Sequence, residues 1–370
     1  MAPVSLAVLN SGLRCLIQLT ALFVALLCHA SVTVDGTSPD VQARFLAGLP
    51  VRDTPLASLA LEHSWVEHAT EFDSAWKQLE TRQLAKIREW SGTFLSESAT
   101  ANDPVLYFFS GPDFLYAQAF FPNAETYVLC GLEPVGAVPD ITKLPAGALG
   151  PSLQNLRKAL NAVLSFSFFI TKDMKTDLNN TQLSGTLPIL YVFLARSGSR
   201  IESVELVGLD KSGALVADKP ATRGARIVFF GPGGNRQTLY YFTSDLSNDG
   251  IKANPAFLHF CETLGPAQSF LKAASYLPHL DFFRSARDFL LAHSKVIVQD
   301  DAGIPLRFFD REKWSLRLFG SYRAPIDTFK EHQQPDLAEL YRTSNPAPLG
   351  FSFGYTWHPR DSSLILATPR

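Results

Sequence analysis

The chain has 370 residues, of which 46% are hydrophobic and 28 are Phe, so a large core can be built. Its 33 basic and 35 acidic side chains leave a formal charge of −2, which argues against nucleic acid as a partner, because phosphate backbones select strongly basic faces. The four Cys form no CxxC and no zinc-ligand spacing, so no metal centre is expected from them.

The N-terminus reads as a cleavable secretory signal over residues 1–30. A short basic leader to Arg14 precedes the apolar run Cys15–Leu27, and Cys28-His29-Ala30 places small residues at the two positions a signal peptidase reads. The run is shorter than the roughly 20 apolar residues a membrane span needs. Removal of this segment would leave about 340 residues with a charge of about −3 and no membrane span. The expected location is therefore extracytoplasmic, periplasmic or extracellular, with residues 31–370 as one elaborated soluble domain and a candidate subdivision near 150–185. Cys130 and Cys261 would remain, and an apolar run around Cys130 favours two separate buried thiols over a bridge.

Residues 31–58 carry scattered Gly and Pro and read as a surface-hugging entry segment. Between 61 and 91, Trp65, Ala69, Phe72, Trp76, Leu79, Leu84, Ile87 and Trp90 recur at helical spacing, which predicts one amphipathic helix ended by Gly92. Its three Trp could form a sugar platform, but that spacing favours core packing. Val105–Phe109 is a short continuous apolar run, as in a strand buried on both faces. Ser110-Gly111-Pro112-Asp113 follows, then a short helix over 114–121 and a second strand over 126–132, which together make a βαβ unit.

A helix is expected over 152–166, and strands over 189–195, 204–209, 226–230 and 237–242, whose close spacing suggests an antiparallel section. Gly231–Asn235 lacks the ending of a phosphate loop and reads as a hairpin turn. Residues 254–293 read as helix punctuated by Gly265-Pro266 and Pro278. Strands over 295–299 and 306–309 would flank a hairpin turn at Asp300–Gly303, and 315–322 reads as a further strand. The tail from 335 has no clear period. The fold class is thus α/β or α+β: a mixed sheet with at least one parallel βαβ crossover, an antiparallel section and flanking helices.

Three constellations could carry chemistry. Ligands of open α/β sheets sit at the carboxyl ends of strands. Ser110 there could be a nucleophile or hold a ligand oxygen, while Gly111 and Asp113 could bind it. Helix capping by the same residues explains them equally well. Second, on a helix Lys272 would meet Ser275 and Tyr276, with His279 beyond Pro278, a group fit for acid–base work, although a solvated Lys and a surface His are the commoner outcome. Third, Asp300 and Asp301 could bind a ligand or divalent cation, or serve as acid and base, against the plainer role of turn formers.

No G-x-S-x-G elbow, HExxH or Rossmann fingerprint is present, and no stretch resembles a family whose function could be carried over. The cofactor is unknown, and the partner is an unidentified small molecule or protein. Three functions follow in order: an extracytoplasmic binding or accessory protein with a polar strand-end site; a hydrolase or transferase using Ser110 or the Lys272/Ser275/Tyr276 group; and a structural or assembly partner without a small-molecule site.

Overall fold

A computed structural model describes residues 37–96, 103–166, 183–217 and 220–370. The segment read as a secretory signal, with Cys15 and Cys28, lies outside the described residues, as does the middle of the candidate boundary at 150–185, residues 167–182.

Ten strands form one mixed sheet: β1 (Val105–Tyr107), β2 (Thr126–Gly131), β3 (Arg200–Leu209), β4 (Leu215–Val216), β5 (Thr222–Phe230), β6 (Arg236–Thr243), β7 (Ala267–Leu271), β8 (Ser294–Gln299), β9 (Trp314–Gly320) and β10 (Ser363–Pro369). Their spatial order is β4-β3-β5-β6-β2-β1-β7-β8-β10-β9. The five central strands, β6-β2-β1-β7-β8, are mutually parallel. Antiparallel pairs extend the sheet on both sides, β5, β3 and β4 at one end and β10 and β9 at the other. The fold is α/β with both parallel and antiparallel sections.

Period-two alternation explains the continuous apolar runs. In β1, Val105 and Tyr107 enter one core, while Leu106 and its successor Phe108 enter the other. In β2, Tyr127 and Leu129 face the first core, and Val128 and Cys130 the second. A strand covered on both faces needs apolar residues at every position, which is what VLYFF and TYVLC supply.

The first face is covered by α1 (Pro39–Leu46), α2 (His63–Leu79), α3 (Ala85–Phe94), α4 (Phe114–Phe120), α5 (Leu149–Phe166) and α6 (Leu187–Arg196). The second is covered by α8 (Ala256–Thr263) and α9 (Arg284–His293), with the short α7 (Asn248–Ala253) beside them. Helix α10 (Pro335–Ser344) sends Leu337 and Tyr341 into a small third cluster with Leu318 of β9 and Ile365 of β10. Trp65, Trp76 and Trp90 are all buried in the first core. Cys130 and Cys261 are buried free thiols.

Several local expectations are corrected. The entry segment contains α1, capped by the Ser38 hydroxyl, and buries Phe45 and Leu46 completely. The helix of 61–91 is two α-helices joined by a wider π-turn over Glu80–Leu84, and Gly92 sits inside α3. Residues 189–195 are not a strand. Pro188 opens α6, whose every position through Ala195 is buried, and a fully buried helix shows no polar face to reveal its period.

The largest miss is β7. Gly265-Pro266 separates α8 from a new central strand rather than interrupting a helix. Asp300–Gly303 is not a hairpin turn, because β8 pairs with β7 and β10; residues Leu306–Phe308 form a single 3-10 turn. The aperiodic tail supplies α10 and then β10, which inserts between β8 and β9.

Candidate functional site

β1 is followed by α4 and then by β2 on one side, whereas β7 lies on its other side. Strand order reverses there, and such a reversal opens a crevice at the carboxyl ends of the flanking strands. The segments leaving β1, β2, β6 and β7 line a cavity of about 350 Å3 at that place. Ser110, Gly111 and Asp113 come from β1, Glu133 from β2, Ser244 and Asp245 from β6, and Lys272 and Ser275 from β7, with Tyr355 reaching in from the tail.

The floor is a buried charge pair. Lys272 Nζ donates to Asp113 Oδ2 at 2.6 Å, and the two side chains are only 1% and 3% exposed. The Tyr107 hydroxyl donates to the same carboxylate oxygen at 3.0 Å. The ammonium also stands 4.0 Å from the centroid of the Tyr116 ring, a cation–π contact in a dry setting. Burial pushes the Asp113 carboxyl up, against the downward pull of Lys272 and the Tyr107 hydroxyl. Burial, and then the neighbouring Asp113, push the Tyr107 phenol well above its ordinary range.

Ser110 does not cap α4. Its Oγ donates to the Gly111 carbonyl at 2.8 Å, lies 3.2 Å from the Cys130 carbonyl, and accepts from the Cys130 N–H at 3.2 Å. The hydroxyl thus ties the end of β1 to β2, and no His, Lys or carboxylate is hydrogen-bonded to it among the described residues. The residue at the helix start is Asp113, whose carboxylate turns to Lys272.

Backbone strain concentrates at the same two strand ends. Among the described residues, six non-glycine positions have positive φ, and four of them are Phe109 (58°), Ala273 (51°), Ser275 (50°) and Tyr276 (54°). Such conformations cost on the order of 1–3 kcal/mol each and persist only where the surroundings enforce them. Here the enforcing bonds are visible. The Ala273 N–H donates to Asp300 Oδ2 at 3.1 Å, the Tyr355 hydroxyl donates to the Ala273 carbonyl at 2.7 Å, and the Ser275 N–H donates to the Tyr355 hydroxyl at 3.1 Å.

Lys272 therefore leaves a strand and is not on a helix. The expected i, i+4 meeting with Tyr276 does not occur, since three of the next four residues are left-handed. Tyr276 instead turns away from the cavity into an aromatic nest, stacked on His332 at 5.0 Å and packed against His279 at 4.9 Å. Its hydroxyl donates to Asp301 Oδ2, and Ser363 Oγ donates to Asp301 Oδ1 at 2.9 Å. His279 Nε2 lies 3.1 Å from the Asp301 carbonyl. Burial lowers the His279 pKa to about 4 and raises both Asp300 and Asp301, with the Asp301 charge raising Asp300 further.

The predicted site residues thus fall into two groups. Ser110, Gly111, Asp113 and Lys272 meet at the cavity. Tyr276, His279 and Asp301 form a second, buried group, and Asp300 links the two by holding Ala273. Sequence reasoning missed Tyr107, Glu133, Asp245 and Tyr355. Glu133 had a signal, as the first residue past the strand predicted over 126–132, whereas nothing local marks Tyr355.

Among the described residues, no group of three or more His, Cys, Asp or Glu is placed to hold a metal ion, and no helix is long and apolar enough to cross a membrane. No family model matches the chain, and no curated protein or solved structure matches it.

Proposed function

We propose that this chain is an exported protein that binds a small molecule in the crevice at the carboxyl ends of β1, β2, β6 and β7. The observation that carries the reading is the cavity itself. Residues from four parallel strands converge at the strand-order reversal, over a buried Lys272–Asp113 pair, with strained backbone on both sides. Rigid, over-determined loops around a concave, largely apolar space are what a preorganised ligand site requires. Export rests on the leader at 1–30, and sequencing the N-terminus of the protein from the extracytoplasmic fraction tests it: a start near residue 31 supports the signal, and a retained leader sinks it.

Binding stands ahead of hydrolysis because the Ser110 hydroxyl is occupied by main-chain bonds and has no base beside it. The test is a thermal-shift screen of several hundred small fragments against the wild type and Ser244→Trp, whose indole would fill the cavity mouth. Fragments that raise the wild-type melting temperature and leave the variant unmoved support the crevice, because binding to the native state alone stabilises it. Equal behaviour of the two proteins toward every fragment removes the reading and puts a scaffold or assembly role first.

A further inference from the structure

We infer that the crevice selects a cation, specifically an alkyl- or arylalkyl-ammonium group carried on an apolar arm; this rests on the small-molecule reading above and specifies its ligand. The carboxylate and ammonium side chains that line the cavity are Asp113, Glu133, Asp245 and Lys272. Lys272 is fully engaged. It is buried, ion-paired to Asp113 and seated on the Tyr116 ring, so an anionic ligand could reach it only by breaking that arrangement. The pair cancels, and the field left in the cavity is that of Glu133 and Asp245.

Glu133 is the decisive group. It is only 5% exposed, yet it forms no salt bridge among the described residues. Among the described residues its carboxylate has one hydrogen-bond contact, a long one of 3.4 Å from the Tyr241 hydroxyl to Oε2, and that hydroxyl makes its better bond, 3.0 Å, to the Glu133 carbonyl. Carboxylates this buried are ordinarily paired, because removal from water without a counter-charge is costly. A ligand ammonium in the cavity supplies the missing partner.

The close packing around Glu133 fixes where that partner must sit. A methyl group at Gly131 would stand 2.4 Å from Oε2 and 2.9 Å from the Gly111 Cα, so the carboxylate is wedged beside the bare backbone of both glycines. Asp245, exposed at the rim, adds a second negative charge; its Oδ1 accepts the Ser247 N–H at 2.9 Å, and it has no salt-bridge partner among the described residues. Phe109, Leu132, Leu246 and Phe283 give the cavity an apolar side. Leu132 is 60% exposed, which is unusual for Leu beside a cavity and leaves an apolar edge for the ligand's arm.

Isothermal titration of the full chain with 2-phenylethylamine, 2-phenylethanol and phenylacetate tests the charge preference. The expected result is that the amine binds at least tenfold more tightly than the neutral alcohol, that phenylacetate does not bind, and that Glu133→Gln abolishes the preference. If Glu133→Gln proves unstable, Asp245→Asn at the rim should weaken the amine two- to threefold, and raised salt should weaken it in the wild type. Equal binding of amine and alcohol, or preferred binding of phenylacetate, overturns the cation assignment while leaving the crevice as a ligand site. Silence from all three probes also overturns it. The fragment screen with Ser244→Trp then tells whether the site reading has failed as well.

Discussion

Two turns in this protein share a sequence outline and nothing else. Val105–Asp113 (VLYFFSGPD) and Arg226–Gly234 (RIVFFGPGG) each run from a strand through Phe-Phe to Gly-Pro. The second is an ordinary hairpin between β5 and β6, closed by the Gly231 N–H to the Asn235 carbonyl at 2.9 Å. Methyl groups at Gly233 and Gly234 would touch nothing, and the neighbouring charge pairs, Arg226–Glu205 and Arg236–Glu202, are solvent-exposed. The first leaves a central parallel strand, with Phe109 left-handed, Gly111 against Glu133, and Asp113 in a buried ion pair. Local sequence specified a turn in both cases. Position in the sheet decided which turn became a cavity wall, because only the central, parallel strand has neighbours whose ends stop beside its own.

The sharpest way to break this contrast is to remove one charge from each region. Lys272→Met leaves the Asp113 carboxylate buried beside Tyr107 with no cation, and should cost about 3–5 kcal/mol in urea unfolding. Arg236→Ala, at the flank, should cost less than about 1 kcal/mol. Asp113→Leu combined with Lys272→Met should recover much of the first loss, since a buried pair is often replaceable by apolar residues of similar volume. Equal costs at the two positions would mean that the Lys272–Asp113 pair is open to water.

Protonation gives the next largest effect. Burial holds His279 at a pKa of about 4, against about 6.5 for an imidazole in water. Between those values the unfolded chain binds a proton that the folded chain does not. This group therefore contributes full stability above pH 6.5 and loses it as the pH falls toward 4, by up to about 3 kcal/mol. Asp300 acts with the opposite sign, because its raised pKa makes the folded form hold a proton that the unfolded form has released, so its contribution falls as the pH rises above the ordinary carboxylate range. The observable is thus a difference: His279→Gln should be less destabilised by acid than the wild type across pH 6.5 to 4. Parallel curves for the two proteins would place the His279 ring in water.

Backbone crowding comes third. Gly131→Ala drives a methyl into Glu133 Oε2, the Gly111 Cα and the Tyr241 hydroxyl, all three closer than carbon ordinarily tolerates. A cost of about 2–3 kcal/mol is expected from overpacking, measurable as a lowered melting temperature, whereas Gly233→Ala should stay within about 0.5 kcal/mol.

These contrasts also explain what could be read from residue order. The central βαβ unit was legible because both of its strands are covered on two faces, so each prints a continuous apolar run bounded by turn residues. The β5–β6 hairpin was legible from Gly231–Asn235. β7 was not, because AQSFL puts Gln268 and Ser269 in a fully buried strand. Gln268 Nε2 is satisfied by the Asp103 carbonyl at 2.9 Å and Ser269 Oγ by Ser294 at 2.6 Å, partners far away in sequence. With β7 hidden, Lys272 looked like a helical residue, and its pairing with Asp113, 159 positions away, could not be anticipated. Ser110, Gly111 and Asp113 were found because strand-end turns are local; Tyr355 and Glu133 join them only through the order of strands in the sheet.

The smallest effect separates structure from chemistry at the turn itself. Ser110→Ala deletes a hydroxyl that bridges the Cys130 N–H and C=O and the Gly111 carbonyl, at an expected cost of about 1–2 kcal/mol, since the Cys130 carbonyl keeps its bond from the main chain. The Ser110 N–H still donates to the Cys130 carbonyl at 2.9 Å, so β1 and β2 stay in register and the cavity keeps its shape. Ligand affinity measured on this variant should then match the wild type within about twofold. A large loss of affinity with the melting temperature nearly unchanged would mean that the Ser110 oxygen faces the ligand rather than the backbone. The Cys130 bonds would then be a resting arrangement that the ligand displaces, and the nucleophile reading of Ser110 would return ahead of simple binding.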